Sequence, residues 1–219
     1  MNRITHFGFI NSYLVEEDDG LTLIDTGWKG NAKRVLAAAA ATGRPIVRIL
    51  LTHGHDDHVG SADALHEALP QAELLISARD ARILEGDLTR DPGEPQQVLR
   101  GGLHGARTRP TRLLEPGDRV GSLEVHAAPG HTPGQIALLD VRDRSLYCGD
   151  AFTTVGGVAT CANARPWFPL SQVATWDKPL ALETARALRA LAPARLAPGH
   201  GKVVEDPTTA MDAAIARGR

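Results

Sequence analysis

An apolar run, Ile46-Val47-Arg48-Ile49-Leu50-Leu51, passes without a spacer into Thr52-His53-Gly54-His55-Asp56-Asp57-His58-Val59-Gly60. Bounded by Pro45 on one side and the polar cluster on the other, the run reads as a buried strand. Ligand-type residues therefore occupy the loop leaving a strand end, held by a rigid scaffold and open at one side.

Side chains at i and i+2 of an extended segment point the same way, so His53 and His55 can converge on one metal ion. Asp57 continues that alternation and His58 faces off it. A sharp turn would bring both to a second ion close to the first, and Gly54 and Gly60 permit one without a Cβ penalty. Any one of these histidines alone reads as a core residue satisfied by hydrogen bonds. Together they read as a metal site, because neutral imidazole is the commonest side-chain ligand and nitrogen/oxygen sets suit zinc or iron.

The chain of 219 residues is long enough for one domain with a full core, and no linker demands a second, so residues 1–219 are taken as a single domain. A formal net charge of −2 gives no field for nucleic acid. Neither an apolar leader nor a membrane-length apolar span is present, which makes a cytoplasmic location the expectation. Arginines are dense between Arg79 and Arg112 with acidic residues among them; they read as solvated surface, from which one could anchor an anionic substrate group. Cys148 and Cys161 are too few for a disulfide framework, and neither is needed for metal.

Residues 3–10 and 13–17 alternate as two strands joined through Asn11-Ser12, and Asp18-Asp19-Gly20 turns the chain. The strand Leu21-Thr22-Leu23-Ile24 then ends in Asp25-Thr26-Gly27. Asp25 is either the N-cap of the next helix or an acceptor that orients a metal-bound histidine. Helices are expected over residues 29–42, 62–69 and 80–84, over 177–191 behind an Asp177 cap, and over 207–216. Strands are expected over 46–51, 72–76, 123–128 and 195–197, with 136–141 and 145–148 pairing as a hairpin. This alternation points to a layered α/β domain. Residues 77–114 lose periodicity and read as an insert, either a functional lid or mobile. His104 inside it reads as solvent-exposed, and His6, His66 and His126 are set aside on similar grounds.

One event recurs along the chain. A strand ends, a glycine appears, and a ligand-type residue stands beside it, in Pro129-Gly130-His131-Thr132, Gly149-Asp150 and Pro198-Gly199-His200-Gly201 as at His53. Strand-end loops on one sheet edge share a rim, so His53, His131, Asp150 and His200 can gather in one cleft. Trp167, Phe168 and Trp176 concentrate the aromatic residues of a chain that has only 4% of them. Core packing is the simpler reading of that concentration, and a wall for an apolar substrate is the alternative.

As a set, these motifs resemble the metallo-β-lactamase superfamily. Residues 52–58 are similar to its H-x-H-x-D-H signature, and Asp25-Thr26-Gly27, Pro129-Gly130-His131-Thr132, Gly149-Asp150 and Gly199-His200-Gly201 stand in the family order. The resemblance spans nearly the whole chain. It implies a four-layer αββα sandwich, two mixed sheets face to face with helices outside, and two divalent metal ions at one edge, zinc first and iron or manganese as alternatives. It implies His53, His55 and His131 as ligands of the first ion, and Asp57, His58 and His200 as ligands of the second. Asp150 would bridge them, Asp25 would stand behind the ligands, and Asp57 would also orient the nucleophile and shuttle its proton. Asp56 receives no role.

Departures from the pattern narrow the activity. β-Lactamases proper usually carry cysteine or serine where this chain has Asp150. Glyoxalase II enzymes add a C-terminal helical region that grips glutathione, whereas nineteen residues follow His200 here. RNA-processing nucleases have extra domains and basic surfaces. Quorum-quenching lactonases have a tyrosine shortly after the bridging aspartate, where Phe152-Thr153-Thr154 stands. The resemblance thus implies a compact hydrolase of a small ester, lactone or thioester, acting through a hydroxide that bridges two ions. Its rivals are a mononuclear iron persulfide dioxygenase using His53, His131 and Asp150, and a metal-binding protein without catalysis. The expected partner is a small-molecule substrate, with no nucleic acid and no membrane.

Overall fold

Alternating apolar side chains along the central strands commit each strand to two different cores. In the strand around residue 50, Ile49 and Leu51 pack to one side and Leu50 to the other; around residue 138, Ile136 and Leu138 oppose Ala137 and Leu139. Two sheets buried on both faces follow, with helices covering the outer ones. The computed structural model describes residues 1–163 and 165–218.

The first sheet contains β1 (Asn2–His6), β2 (Ile10–Glu17), β3 (Gly20–Ile24), β4 (Ile46–Leu50), β5 (Glu73–Ser77) and β6 (Arg112–Leu114), in chain order across the sheet. Strands β1 to β3 are antiparallel and β3 to β6 parallel. Parallel neighbours need crossovers, supplied by α1 (Ala32–Thr42), by α2 (Asp56–Val59) with α3 (Ala62–Ala68), and by α4 (Ala78–Leu84) with the insert. The second sheet starts as an antiparallel meander of β7 (Arg119–Val120), β8 (Leu123–Ala127), β9 (Ile136–Asp140) and β10 (Ser145–Tyr147). A small hairpin, β11 (Phe152–Thr153) with β12 (Ala159–Thr160), and helices α5 (Leu170–Ala174) and α6 (Lys178–Ala190) come next. Strand β13 (Arg195–Ala197) then lies parallel to β10, β14 (Val204–Glu205) flanks it, and α7 (Thr208–Ala216) closes the chain.

Three apolar clusters separate the four layers. Tyr13, Leu50, Leu75, Val125, Leu138 and Tyr147 fill the space between the sheets. Val35, Leu65 and Leu84 seat helices on the first sheet, and Ala185, Leu188 and Met211 seat α6 and α7 on the second. The αββα sandwich implied by the motifs is the fold of this chain. Among the described residues no helix is long and apolar enough to cross a membrane.

Local differences from the sequence reading have physical causes. The break expected at Asn11-Ser12 lies earlier, at residues 7–9, where Phe7 (φ 51°) and Gly8 (φ 82°) take left-handed backbone. Asn11 and Ser12 lie buried inside β2, and the Asn11 side chain donates to Pro198 O (3.0 Å) and Gly201 O (2.7 Å), so its polarity serves a distant loop. Helix α1 begins at Ala32 because Trp28–Asn31 form a turn, with the buried Asn31 side chain donating to Thr26 O at 3.0 Å. Strands β7, β11, β12 and β14 are two residues each, too short to show a period.

At the edge away from the metal loops the two sheets are tied by Glu17, a buried carboxylate at the end of β2. It accepts from the Ser122 amide at 3.1 Å and hydroxyl at 2.7 Å, with Arg142 Nη1 at 3.7 Å. Replacing Glu17 with alanine leaves those donors without a partner and should cost about 2 kcal/mol in urea unfolding. Cation uptake at the opposite rim should be unchanged.

Candidate metal centre

Strands β3, β4, β8, β10 and β13 all run out on one rim, and each is followed by a loop carrying imidazole or carboxylate groups. In the loop after β4 the first turn of α2 supplies the change of direction that brings Asp57 and His58 to the centre, with the His58 ring centroid 4.0 Å from that of His53. Close packing makes glycine necessary at Gly199, where a Cβ would lie 2.5 Å from Asp150 Oδ1 and from the His58 ring.

The groups fall into overlapping sets. His53 Nε2 is 3.1 Å from His55 Nδ1, which is 3.0 Å from His131 Nε2. His200 Nε2 is 3.2 Å from Asp57 Oδ2, and His58 Nε2 is 4.0 Å from the same oxygen. Between them stands Asp150, with Oδ1 3.2 Å from His58 Nε2 and Oδ2 3.4 Å from His131 and 3.1 Å from His200. His53 with His55 and His131, and Asp57 with His58 and His200, each present three ligand atoms close enough to hold one cation; His53, His58 and Asp150 form a third such group. His58 Nε2 and Asp150 Oδ1 are buried and make no aligned hydrogen bond to the protein. Donors of this type, converging with unspent lone pairs, fit divalent cations.

Hydrogen bonds behind the rings decide which nitrogen faces inward. Asp25, with left-handed backbone (φ 57°), accepts from His58 Nδ1 at 2.7 Å, the Thr52 amide at 2.7 Å and the Thr52 hydroxyl at 2.8 Å. Thr52 Oγ1 lies 3.0 Å from His53 Nδ1, Thr175 Oγ1 3.0 Å from His131 Nδ1, and Arg100 O 2.7 Å from His55 Nε2. Of the two roles open to Asp25, the one it takes is support for the rings; Asn31 occupies the N-cap position of α1.

Charge is divided unevenly. Burial, reinforced by the other histidines, keeps His53 well below the usual imidazole range. Burial also holds His131 at about 3, against the pull of Asp150, so both rings are neutral and able to ligate. Burial pushes His200 down, but Asp150 and Asp57 outweigh it and raise the ring to about 9. Burial likewise pushes Asp57 up, yet His58 and His200 outweigh it and set the carboxyl at about 2. A cation held by Asp57, His58 and His200 would displace a proton from His200. Its affinity should climb from pH 6 to pH 8, by about tenfold per pH unit for each proton released, as read by chelator competition.

A cleft of about 340 Å³ opens beside the centre, with His55, Asp57, His131, Asp150 and His200 in its floor. Phe168 lines it; Trp167 and Trp176 do not. Trp167 is 65% exposed and stands against Gly156 and the Arg165 guanidinium. Trp176 is buried with Ile83 and Leu99 and donates its indole N–H to Gln97 O at 2.9 Å. Phe9, Trp28, Leu170 and Val173 line the cleft instead. Cys161 is buried with a thiol pushed up to about 12 by that burial, and Cys148 packs in the core.

The family-level description that matches residues 6–200 is "Metallo-beta-lactamase superfamily". The chain belongs to that superfamily. It is 42% identical over 211 residues to the uncharacterized protein YobT of Bacillus subtilis (strain 168), covering 96% of this chain and 91% of YobT. It is 29% identical to the probable metallo-hydrolase YybB of the same organism, covering 66% of this chain and 63% of that one. Against a hydroxyacylglutathione hydrolase of Xanthomonas euvesicatoria pv. vesicatoria (strain 85-10) the identity is 34%, over 65% of this chain and 46% of that enzyme. The chain thus spans under two thirds of YybB and under half of the Xanthomonas enzyme. The crystal structure of TTHA1623 in a di-iron-bound form superposes with a TM-score of 0.71 at 28% identity, covering 96% of this chain and 97% of that one. The B3 metallo-beta-lactamase BLEG-1, with a TM-score of 0.71 at 22% identity, covers 96% of each chain and shares the fold. The protein is accordingly an enzyme of the metallo-hydrolase superfamily, with a divalent-metal centre.

Several polar anchors escape a reading of motifs. Asp80, fully buried, accepts from Gly54 N (3.0 Å), Thr132 Oγ1 (2.6 Å) and Gly134 N (2.7 Å), locking the His53–His55 loop to the His131 loop. Gln135 Oε1 accepts from the Asp150 amide at 3.2 Å, and the Tyr13 hydroxyl donates to Pro198 O at 2.7 Å. Asp56 binds the insert, taking the His104 amide at 2.9 Å and the exposed His104 ring, while its own amide donates to Gly102 O at 3.0 Å. Asp80→Asn turns an amide donor toward backbone N–H groups. It should weaken zinc binding by about tenfold or more, measured by chelator competition, although Asp80 belongs to neither ligand set.

Proposed function

We propose that the protein hydrolyses a small ester, lactone or thioester using two divalent cations, with zinc first among the candidates. The observation that carries this reading is the meeting of two complete three-ligand sets at Asp150. His53, His55 and His131 would hold one cation, and Asp57, His58 and His200 the other, with Asp150 between them. Bound there, the cations would lower the pKa of water toward about 7 and polarise the scissile carbonyl.

The chain's own groups supply the rest. Asp57 lines the cleft with a carboxyl set at about 2, so it is an ionised acceptor for the proton of the attacking water and can deliver it to the leaving group. Asp25, Thr52, Thr175 and the Arg100 carbonyl hold the rings at fixed angles, so little reorganisation accompanies reaction. Aspartate at position 150 separates the site from the cysteine or serine expected of β-lactamases proper. Similarity to hydroxyacylglutathione hydrolases supports a thioester among the substrates.

Elemental analysis should give two zinc ions per chain, and a panel of esters, lactones and thioesters should be turned over by the zinc-loaded protein. Asp150→Ala should lower kcat by at least about 100-fold and reduce the zinc count together. Full activity with one cation would sink the dinuclear assignment. Oxygen uptake with glutathione persulfide and one iron per chain would replace hydrolysis with dioxygenation.

A further inference from the structure

The cleft has a charged floor and apolar walls. Phe9 and Phe168 meet edge to face at 5.5 Å, and both rings approach His200, at 5.9 and 5.4 Å. Trp28, Leu170 and Val173 also line the cleft and are 44%, 60% and 62% exposed. Leu170 and Val173 are three residues apart on α5, so they share a face. That helix is not loosely attached. The hydroxyl of Thr175, just past its end, donates to Ser171 O at 2.6 Å and stands 3.0 Å from His131 Nδ1. The apolar wall is thereby fixed to a ring of the metal centre.

No lysine or arginine is among the described residues lining this cleft. Most arginines of the insert, which on sequence could have anchored an anion, are paired with carboxylates. Arg100, whose carbonyl meets His55, has an exposed side chain that is not among the residues lining the cleft. Arg79 pairs with Glu94 at 2.7 Å, Arg82 with Asp87 and Asp91 at 2.8 and 2.7 Å, and Arg107 with Asp63 and Glu67 at 3.2 and 3.1 Å. Arg3 and Lys202 line a separate groove on the other side of Phe9. A carboxylate pressed against Trp28, Phe168 and Leu170 would lose its water without gaining a partner in the wall.

We infer that this cleft selects substrates in which a group flanking the scissile bond is an uncharged, short alkyl or aryl chain, and that it rejects a carboxylate in that position. The inference rests on the hydrolase reading and narrows it. Glutathione thioesters, whose thiol portion carries carboxylates, are then poor substrates unless those carboxylates are directed away from the wall.

The test uses the zinc-loaded protein and two thioester series. One extends the acyl group from acetyl to hexanoyl on a fixed thiol, and the other extends the thiol on a fixed acetyl group; each has a counterpart ending in a carboxylate. In the series that faces the wall, kcat/KM should rise about fourfold per methylene. The terminal carboxylate should lower it by about 100-fold. Leu170→Lys, at an exposed position, should raise kcat/KM for the carboxylate substrate by at least about tenfold and lower it for hexanoyl. Flat series, or a preference for the carboxylates, would overturn the inference and leave the hydrolase reading standing. If no ester or thioester is turned over, the hydrolase reading fails, and the wall is judged by binding alone. Saturable quenching of tryptophan fluorescence by 2-octanone but not by 7-oxooctanoate, lost in Trp28→Phe, would sustain it. Equal quenching by both, or none, would refute it.

Discussion

An imidazole that faces a cation through one nitrogen is fixed by what the protein offers the other. Four of the five rings gathered here are held this way, while the buried His200 Nδ1 has no hydrogen-bond partner among the described residues. Asp25 holds His58 directly and His53 through Thr52. Thr175 holds His131, and the Arg100 carbonyl holds His55. Much of the architecture serves these four bonds. Asp25 is positioned by the end of β3, Thr52 by the end of β4, and Arg100 by the insert, which Asp56 and Asp177 also tie to this edge. The unusual backbone of Asp25 is tolerable because aspartate accepts left-handed geometry better than most residues, and because three hydrogen bonds fix its side chain.

The same logic extends outward by one layer. Each loop that brings a group to the centre is gripped by a polar side chain from elsewhere. Asp80 holds two of them, Gln135 holds the Asp150 loop, and Asn11 with Tyr13 holds the His200 loop. Burying such groups is costly unless they are paired, and pairing them with backbone amides and carbonyls converts the cost into rigidity. Burial pushes the Asp80 carboxyl upward despite three donors, which marks how dry its surroundings are.

What could be read in the sequence was whatever repeats locally. The strand-glycine-ligand pattern placed His53, His131, Asp150 and His200 on one rim, the crowded 52–58 motif added His55, Asp57 and His58, and alternation placed the longer strands of both sheets. Asp80 and Asn11 carry no such signal, because the loops they hold lie 26 to 54 residues away for Asp80 and 187 to 190 for Asn11. Nothing in the neighbourhood of either residue announces a distant loop. The aromatic cluster divides for a related reason: the sequence places Trp167, Phe168 and Trp176 near one another, but only backbone geometry decides that Trp176 packs in the core and Phe168 turns into the cleft. Asp56, without a role in the motif, gains one only when the insert folds back onto it.

The insert itself is fastened along its length. Arg79 and Arg82 staple its first part to α4, Gln97 joins the start of α6 through Asp177 and Trp176, and residues 100–104 are bonded to the loop that carries His55 and Asp56. Held at so many points, it behaves as a door frame and not as a door. The side of the cleft formed by Gly101 and Gly102 is thus set by hydrogen bonds at both of its ends.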